Sequence, residues 1–292
     1  MHAHLLAGVA HRPASAPRPA PTILVFDSGF GGLTVFAEVA KARPDARFVY
    51  AADDAGFPYG RFAEGTLAER VALVLERLIE RHAPDLVIVA CNTASTVDVV
   101  LPHLRRRFAL PIVGTVPPIK PAAALSRSGL VSILATPGTV SRAYTQSLVD
   151  AFGGACRVAL VGSARLAELA TAALAGEPVR DDEVLDEIRP AFIDADGRRT
   201  DVVGLGCTHY PLLLDRFERL APWPVTWVDP APAVARRVLQ LLGPPVPGTP
   251  PEDKEAAAVF TAGATVTAAL RAALAARGLP RIAVEPLPLA AA

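Results

Sequence analysis

Two of the three cysteines in this 292-residue sequence stand in surroundings that suit chemistry. Cys91 ends the apolar run of VIVACNTAST and is followed by Asn92 and Thr93; Cys207 ends that of VVGLGCTHYP and is followed by Thr208 and His209. Such thiols have four readings. Cys207 and His209, pointing the same way on an extended chain, suit a zinc ion that Cys91 could join, although no CxxC pair accompanies them. One thiol acting as nucleophile with His209 as base leaves the other without a role. Both could be core side chains that happen to align. The fourth reading uses both: a reaction that takes a proton from one face of a carbon and returns one to the opposite face needs an acid/base group on each side, and it inverts the centre.

The elements that position these thiols alternate in type. TILVFDSG reads as a buried parallel strand with a tight turn, GGLTVFAEVAKARP as the helix behind it, and ARFVYAADD as the next strand. LAERVALVLERLIERH has helical apolar spacing, with Thr66 expected as N-cap and Pro84 helping to end it before the strand DLVIVA. The second half repeats the scheme. Asp85 precedes Cys91 across one strand as Asp201 precedes Cys207 across another, and ILVFDSGFGGLTV has a counterpart in VSILATPGTVSRAY. The expected fold class is α/β: two similar α/β domains with mostly parallel sheets facing each other across an active-site cleft, since ligands bind outside the carboxyl ends of strands in such sheets. The expected boundaries are 22–115 plus 226–292 for the first domain and 116–225 for the second. GPPVPGTPPEDK is expected as a surface loop and VFTAGATVTAALRAALAARG as a strand and helix.

Composition narrows the partners. A 51% apolar content suffices for a buried core, and equal numbers of basic and acidic residues, 29 each, give no field that would draw nucleic acid or an anionic membrane. Three widely spaced cysteines fit a reducing, cytoplasmic setting rather than a disulfide framework. Residues 1–21 have no basic region ahead of their short apolar stretch, and Arg12, Arg18 and four prolines follow it, so a disordered extension is expected rather than a signal peptide. No apolar run is long enough to span a membrane.

VFDSGFGGLTV, FPYG, VACNTAST, GTVPPIKPA, LATPGTVSRAYT and GLGCTHYPLL, in this order and spacing, resemble the glutamate racemases of the aspartate/glutamate racemase superfamily. The resemblance runs from Thr22 to about Arg237. It implies interconversion of L- and D-glutamate for peptidoglycan, with no cofactor or metal, and with Cys91 and Cys207 as the two bases. It also implies that Asp27 and Ser28 contact the substrate and its ammonium region, that Tyr59 and Gly60 supply a second contact, and that Asn92, Thr93, Thr208 and His209 hold carboxylates or orient a thiol. On residue type alone a second reading of Asp27 is a helix N-terminal anion or cap, and Gly29, Gly31 and Gly32 read as glycines that permit a tight strand-to-helix turn. Cys156, without polar company, is assigned to structure.

The chain departs from the superfamily pattern in two places. SARLAELAT puts Thr171 where many relatives carry a glutamate, with Glu168 nearby but off register, and Asp54 stands where an asparagine is frequent, an added charge expected near the cleft entrance. The resemblance further implies a homodimer, a peptidoglycan-precursor nucleotide as activator, and DNA gyrase as a protein partner of some members. A sister enzyme acting on aspartate and a purely regulatory protein are the alternatives.

Overall fold

The computed structural model describes residues 20–246, 256–263 and 266–286. The expected N-terminal extension lies outside these, apart from Ala20 and Pro21, as does most of the Pro-rich stretch 243–254. Strands β1 (Thr22–Asp27), β2 (Arg47–Ala52), β3 (Leu86–Val89) and β4 (Ile112–Gly114) open the chain. They are followed by β5 (Leu130–Ala135), β6 (Arg157–Gly162), the hairpin pair β7 (Asp194–Ala195) and β8 (Arg198–Arg199), β9 (Val202–Gly206) and β10 (Thr226–Val228). The chain then returns with β11 (Ala257–Phe260) and β12 (Arg281–Val284). These form a six-stranded sheet in the order β12-β11-β2-β1-β3-β4 and a four-stranded sheet in the order β10-β9-β5-β6, every pairing parallel. The fold is α/β, as the alternation of elements predicts.

Strands of a sheet covered on both faces are apolar throughout, and successive side chains serve opposite layers. In the first sheet Val25, Tyr50 and Ile88 enter one core, whereas Leu24, Val49 and Val87 enter the other. In the second, Leu134 and Leu205 face one core and Ile133 and Val202 the other. The registers bring the strand ends level. Phe26 lies opposite Val89, and Ala135 opposite Gly206, so Ser28 and Cys91 leave one sheet edge as neighbours while Thr136 and Cys207 leave the other.

Two expectations are corrected. The second long helix spans Glu64–His82 with Ala63 as its N-cap, so Thr66 lies inside the first turn; Glu64 brings a carboxylate to the helix N-terminus, where the dipole favours it, and pairs with Arg142. β10 pairs with β9, so the chain returns to the first sheet after Val228 rather than at residue 226. The glycines after β1 lie in the expected turn from strand to helix; Gly32 has φ −59°, and crowding is the added reason for Gly31, where a Cβ would lie 2.5 Å from the His209 backbone nitrogen and 2.6 Å from Thr208 Oγ1.

Candidate active site

A cavity of about 230 Å³ opens between the carboxyl ends of the two sheets, large enough for a small metabolite. From the first half, Ser28, Tyr59, Gly60, Cys91, Asn92 and Thr93 line it; from the second, Cys207, Thr208 and His209 do. Nine of the ten residues singled out in the sequence thus meet at one place. Asp27 does not line the cavity. It is fully buried behind the wall, where Oδ2 accepts the Gly32 N–H at 2.6 Å, the N-terminal anion geometry, and Oδ1 has no hydrogen-bond partner.

Each thiol is 6% exposed and has one polar side-chain neighbour. Cys91 Sγ lies 3.4 Å from Ser28 Oγ, and Cys207 Sγ 3.8 Å from His209 Nδ1. Burial pushes the Cys91 thiol up to about 12, and the charge of Asp27 adds to the rise while the Ser28 hydroxyl opposes it. Burial likewise raises the Cys207 thiol; the His209 backbone N–H opposes this, and Cys91 and Asp27 reinforce it. Desolvation holds His209 below its ordinary value against the pull of Asp27. Burial thus favours the thiol form of both sulfurs and the neutral form of the imidazole.

The polar wall is built of neutral groups. Asn92 is buried, with neither amide atom hydrogen-bonded, so both are available to a ligand. The hydroxyls of Thr93 and Thr136 approach to 3.5 Å from opposite sides, and Thr136 Oγ1 lies 2.9 Å from Thr139 Oγ1. Tyr59 is held by its hydroxyl, which donates to Asp53 at 2.7 Å; Arg70 grips the same carboxylate through Nε and Nη2, both at 2.6 Å, and Thr261 Oγ1 donates to it at 2.7 Å. Among the described residues no group of three His, Cys, Asp or Glu side chains is placed to hold a metal ion.

Residues that sequence reasoning did not single out complete the lining, among them Phe57, Thr136 and Ser163, together with Glu168, which it noted only as off register. The internal repeat held the signal for Thr136, which follows β5 as Ser28 follows β1. The carboxylate expected at position 171 has a different source: Thr171 turns its hydroxyl back to the Ala167 carbonyl at 2.9 Å, whereas Glu168, one helical turn earlier, lines the cavity. Asp54 is not among the residues that line the cavity. Its carboxylate accepts the backbone N–H groups of Ala262 and Gly263 at 2.8 and 2.9 Å.

Comparison with known proteins places this geometry. A family model described as Asp/Glu/Hydantoin racemase matches residues 33–238. The chain belongs to this family. Among relatives of the racemase, glutamate racemase from Sinorhizobium medicae is 53% identical over 245 residues, which cover 82% of this chain and 88% of that protein. The Brucella anthropi glutamate racemase is 55% identical over 232 residues, covering 79% and 82%. The solved structure of Escherichia coli glutamate racemase in complex with L-glutamate and the activator UDP-MurNAc-Ala is 40% identical and matches with a TM-score of 0.83 over 92% of this chain and 100% of that one. With relatives this similar over most of its length, the racemase is an isomerase of the amino-acid racemase kind. Among its described residues no helix is long and apolar enough to cross a membrane.

Proposed function

We propose that this racemase interconverts L- and D-glutamate without a cofactor, using Cys91 and Cys207 as paired acid/base groups on opposite faces of the α-carbon. The observation that carries the reading is that two thiols, each following the strand of a repeated unit, open into one cavity between the two sheets. As the substrate ammonium enters, one thiol releases its proton to bulk solvent; the thiolate so formed takes the α-proton as the opposite thiol gives its own, so the exchange itself ends with the roles of the two sulfurs reversed and no further loss of protons. Substrate carboxylates are held by the Asn92 amide and the hydroxyls of Ser28, Thr93 and Thr208, which are preorganised neutral donors. Tyr59 and Gly60 bound the side of the pocket. Asp27, behind the wall, favours the substrate ammonium near Ser28, and that incoming positive charge offsets the burial that keeps a thiol protonated.

The biological role proposed with this chemistry is supply of D-glutamate for peptidoglycan from the cytoplasm. The activator bound to the E. coli enzyme supports a precursor nucleotide as activator here, a homodimer and a gyrase contact rest on the resemblance alone, and the two-domain division is proposed with its return boundary after Val228.

The test is racemisation of L-glutamate in D₂O, followed by chiral chromatography and mass spectrometry. D-Glutamate carrying one solvent deuterium is expected, with Cys91→Ala and Cys207→Ala each inactive. Activity in either variant, or turnover of aspartate in place of glutamate, overturns the proposal. An unchanged rate with UDP-N-acetylmuramoyl-L-alanine removes the activator. Light scattering decides the dimer, and a supercoiling assay with the Cys91→Ala/Cys207→Ala protein decides the gyrase contact.

A further inference from the structure

From the hydrogen bond that joins the two halves at Gly31, we infer that His209 is fixed as the neutral tautomer with its proton on Nδ1 and serves Cys207 as a permanent hydrogen-bond donor, never as its base. The Gly31 backbone N–H lies 3.2 Å from His209 Nε2. A backbone N–H only donates, so Nε2 is the accepting, unprotonated nitrogen, and a neutral imidazole then carries its hydrogen on Nδ1. That nitrogen is the one 3.8 Å from Cys207 Sγ. An imidazolium would set an Nε2–H against the Gly31 N–H, two donors facing each other in a site where the ring is 3% exposed, and burial acts in the same direction. Asp27 is the charged group that acts on the ring, and Cys207 is the titratable group it touches; Phe57, with its ring centroid 5.6 Å away, and Gly29 pack against it without charge.

This arrangement separates the two thiols. Cys91 is served by the Ser28 hydroxyl, which can donate or accept, while Cys207 faces an N–H of fixed polarity that strengthens as the sulfur becomes anionic. No proton leaves His209 during the exchange. The donor is also assembled across the cleft: Gly31 lies on the turn after β1, His209 after β9, and Thr34 Oγ1 ties the same two segments through the Thr208 carbonyl at 3.2 Å. Separation of the halves breaks the bond at Nε2 and releases the choice of tautomer.

The kinetic part rests on the two-thiol reading, while the tautomer is measurable without substrate. In ¹⁵N-histidine spectra of the resting enzyme at neutral pH, with His209 assigned by loss of its signals in His209→Asn, Nδ1 is expected to carry the proton and Nε2 to be bare. A ring protonated at Nε2, or at both nitrogens, overturns the inference whatever the enzyme turns over. In kinetics, His209→Asn places an amide N–H where Nδ1–H stands. His209→Ala is expected to lose about a hundredfold in kcat, the usual cost of one preorganised donor, and His209→Asn to recover at least about tenfold of that. Asn as poor as Ala shows that the basic nitrogen is required and refutes the donor role.

Discussion

Replacing Arg70 by methionine removes the cation from a fully buried carboxylate and leaves the rest of the pocket wall in place. Asp53 is 0% and Arg70 8% exposed, and the guanidinium makes two bonds of 2.6 Å to the two carboxylate oxygens. Breaking a buried pair by removing one partner costs about 3–5 kcal/mol, because an uncompensated charge remains. Two donors stay on Asp53, the hydroxyls of Tyr59 and Thr261, so the lower end, about 3 kcal/mol, is expected. For a protein of this size that corresponds to a fall of roughly 5 °C in Tm. Urea unfolding of wild type, Arg70→Met, Asp53→Asn and the double variant, with a shared m value, measures the coupling. The double variant is expected to be more stable than the sum of the singles by about 2 kcal/mol, because the amide that replaces the Asp53 carboxylate carries no charge for methionine to strand. A loss under about 1 kcal/mol for Arg70→Met, the range of an exposed pair, refutes the reasoning.

Asn92→Ala is expected to leave the melting temperature of the unliganded enzyme unchanged or higher, since removing a buried amide without partners relieves a desolvation cost of about 1–3 kcal/mol; the same variant loses the upward shift that glutamate gives the wild type. Cys91 is raised in the folded state to about 12, whereas an unfolded thiol ionises near about 8.5, so its contribution is complete below that pH and fades as the pH climbs toward 12. Wild type is therefore expected to lose urea resistance between about pH 8.5 and 10.5 more steeply than Cys91→Ala. His209 is lowered, so its contribution is present above about pH 6.5 and declines as the pH falls below it; His209→Asn is expected to flatten the stability profile between about pH 6.5 and 5.

The strands and the pocket's two poles were legible because they depend on local pattern. A parallel strand buried on both faces is an apolar run, and the repeated spacing from Asp85 to Cys91 and from Asp201 to Cys207 put both thiols at strand ends. What escaped depends on tertiary placement. β12 is a short, partly exposed edge strand with no distinguishing alternation. Thr136 and Ser163 follow strands whose ends carry no cysteine to draw attention. Glu168 reaches the cavity because its helix presents that turn, a fact of orientation that a register comparison at Thr171 does not contain. The space limit at Gly31 arises from His209 and Thr208, far along the chain, and no reading of the β1 turn alone reveals it.

The order of strands in the first sheet bears on how the chain is made. β11 lies between β2 and β12, yet it follows all of the second sheet in sequence. A nascent chain emerging from the ribosome thus holds the outer edge of β2, Val49–Ala52, without its neighbour until Ala257–Phe260 has been translated. An open strand edge is a template for wrong pairing. The second sheet, drawn from one continuous stretch, has all its strands far earlier. Thr261, which completes the shell of Asp53, arrives with β11, so the wall behind Tyr59 is finished only after every strand of the second sheet has been synthesised.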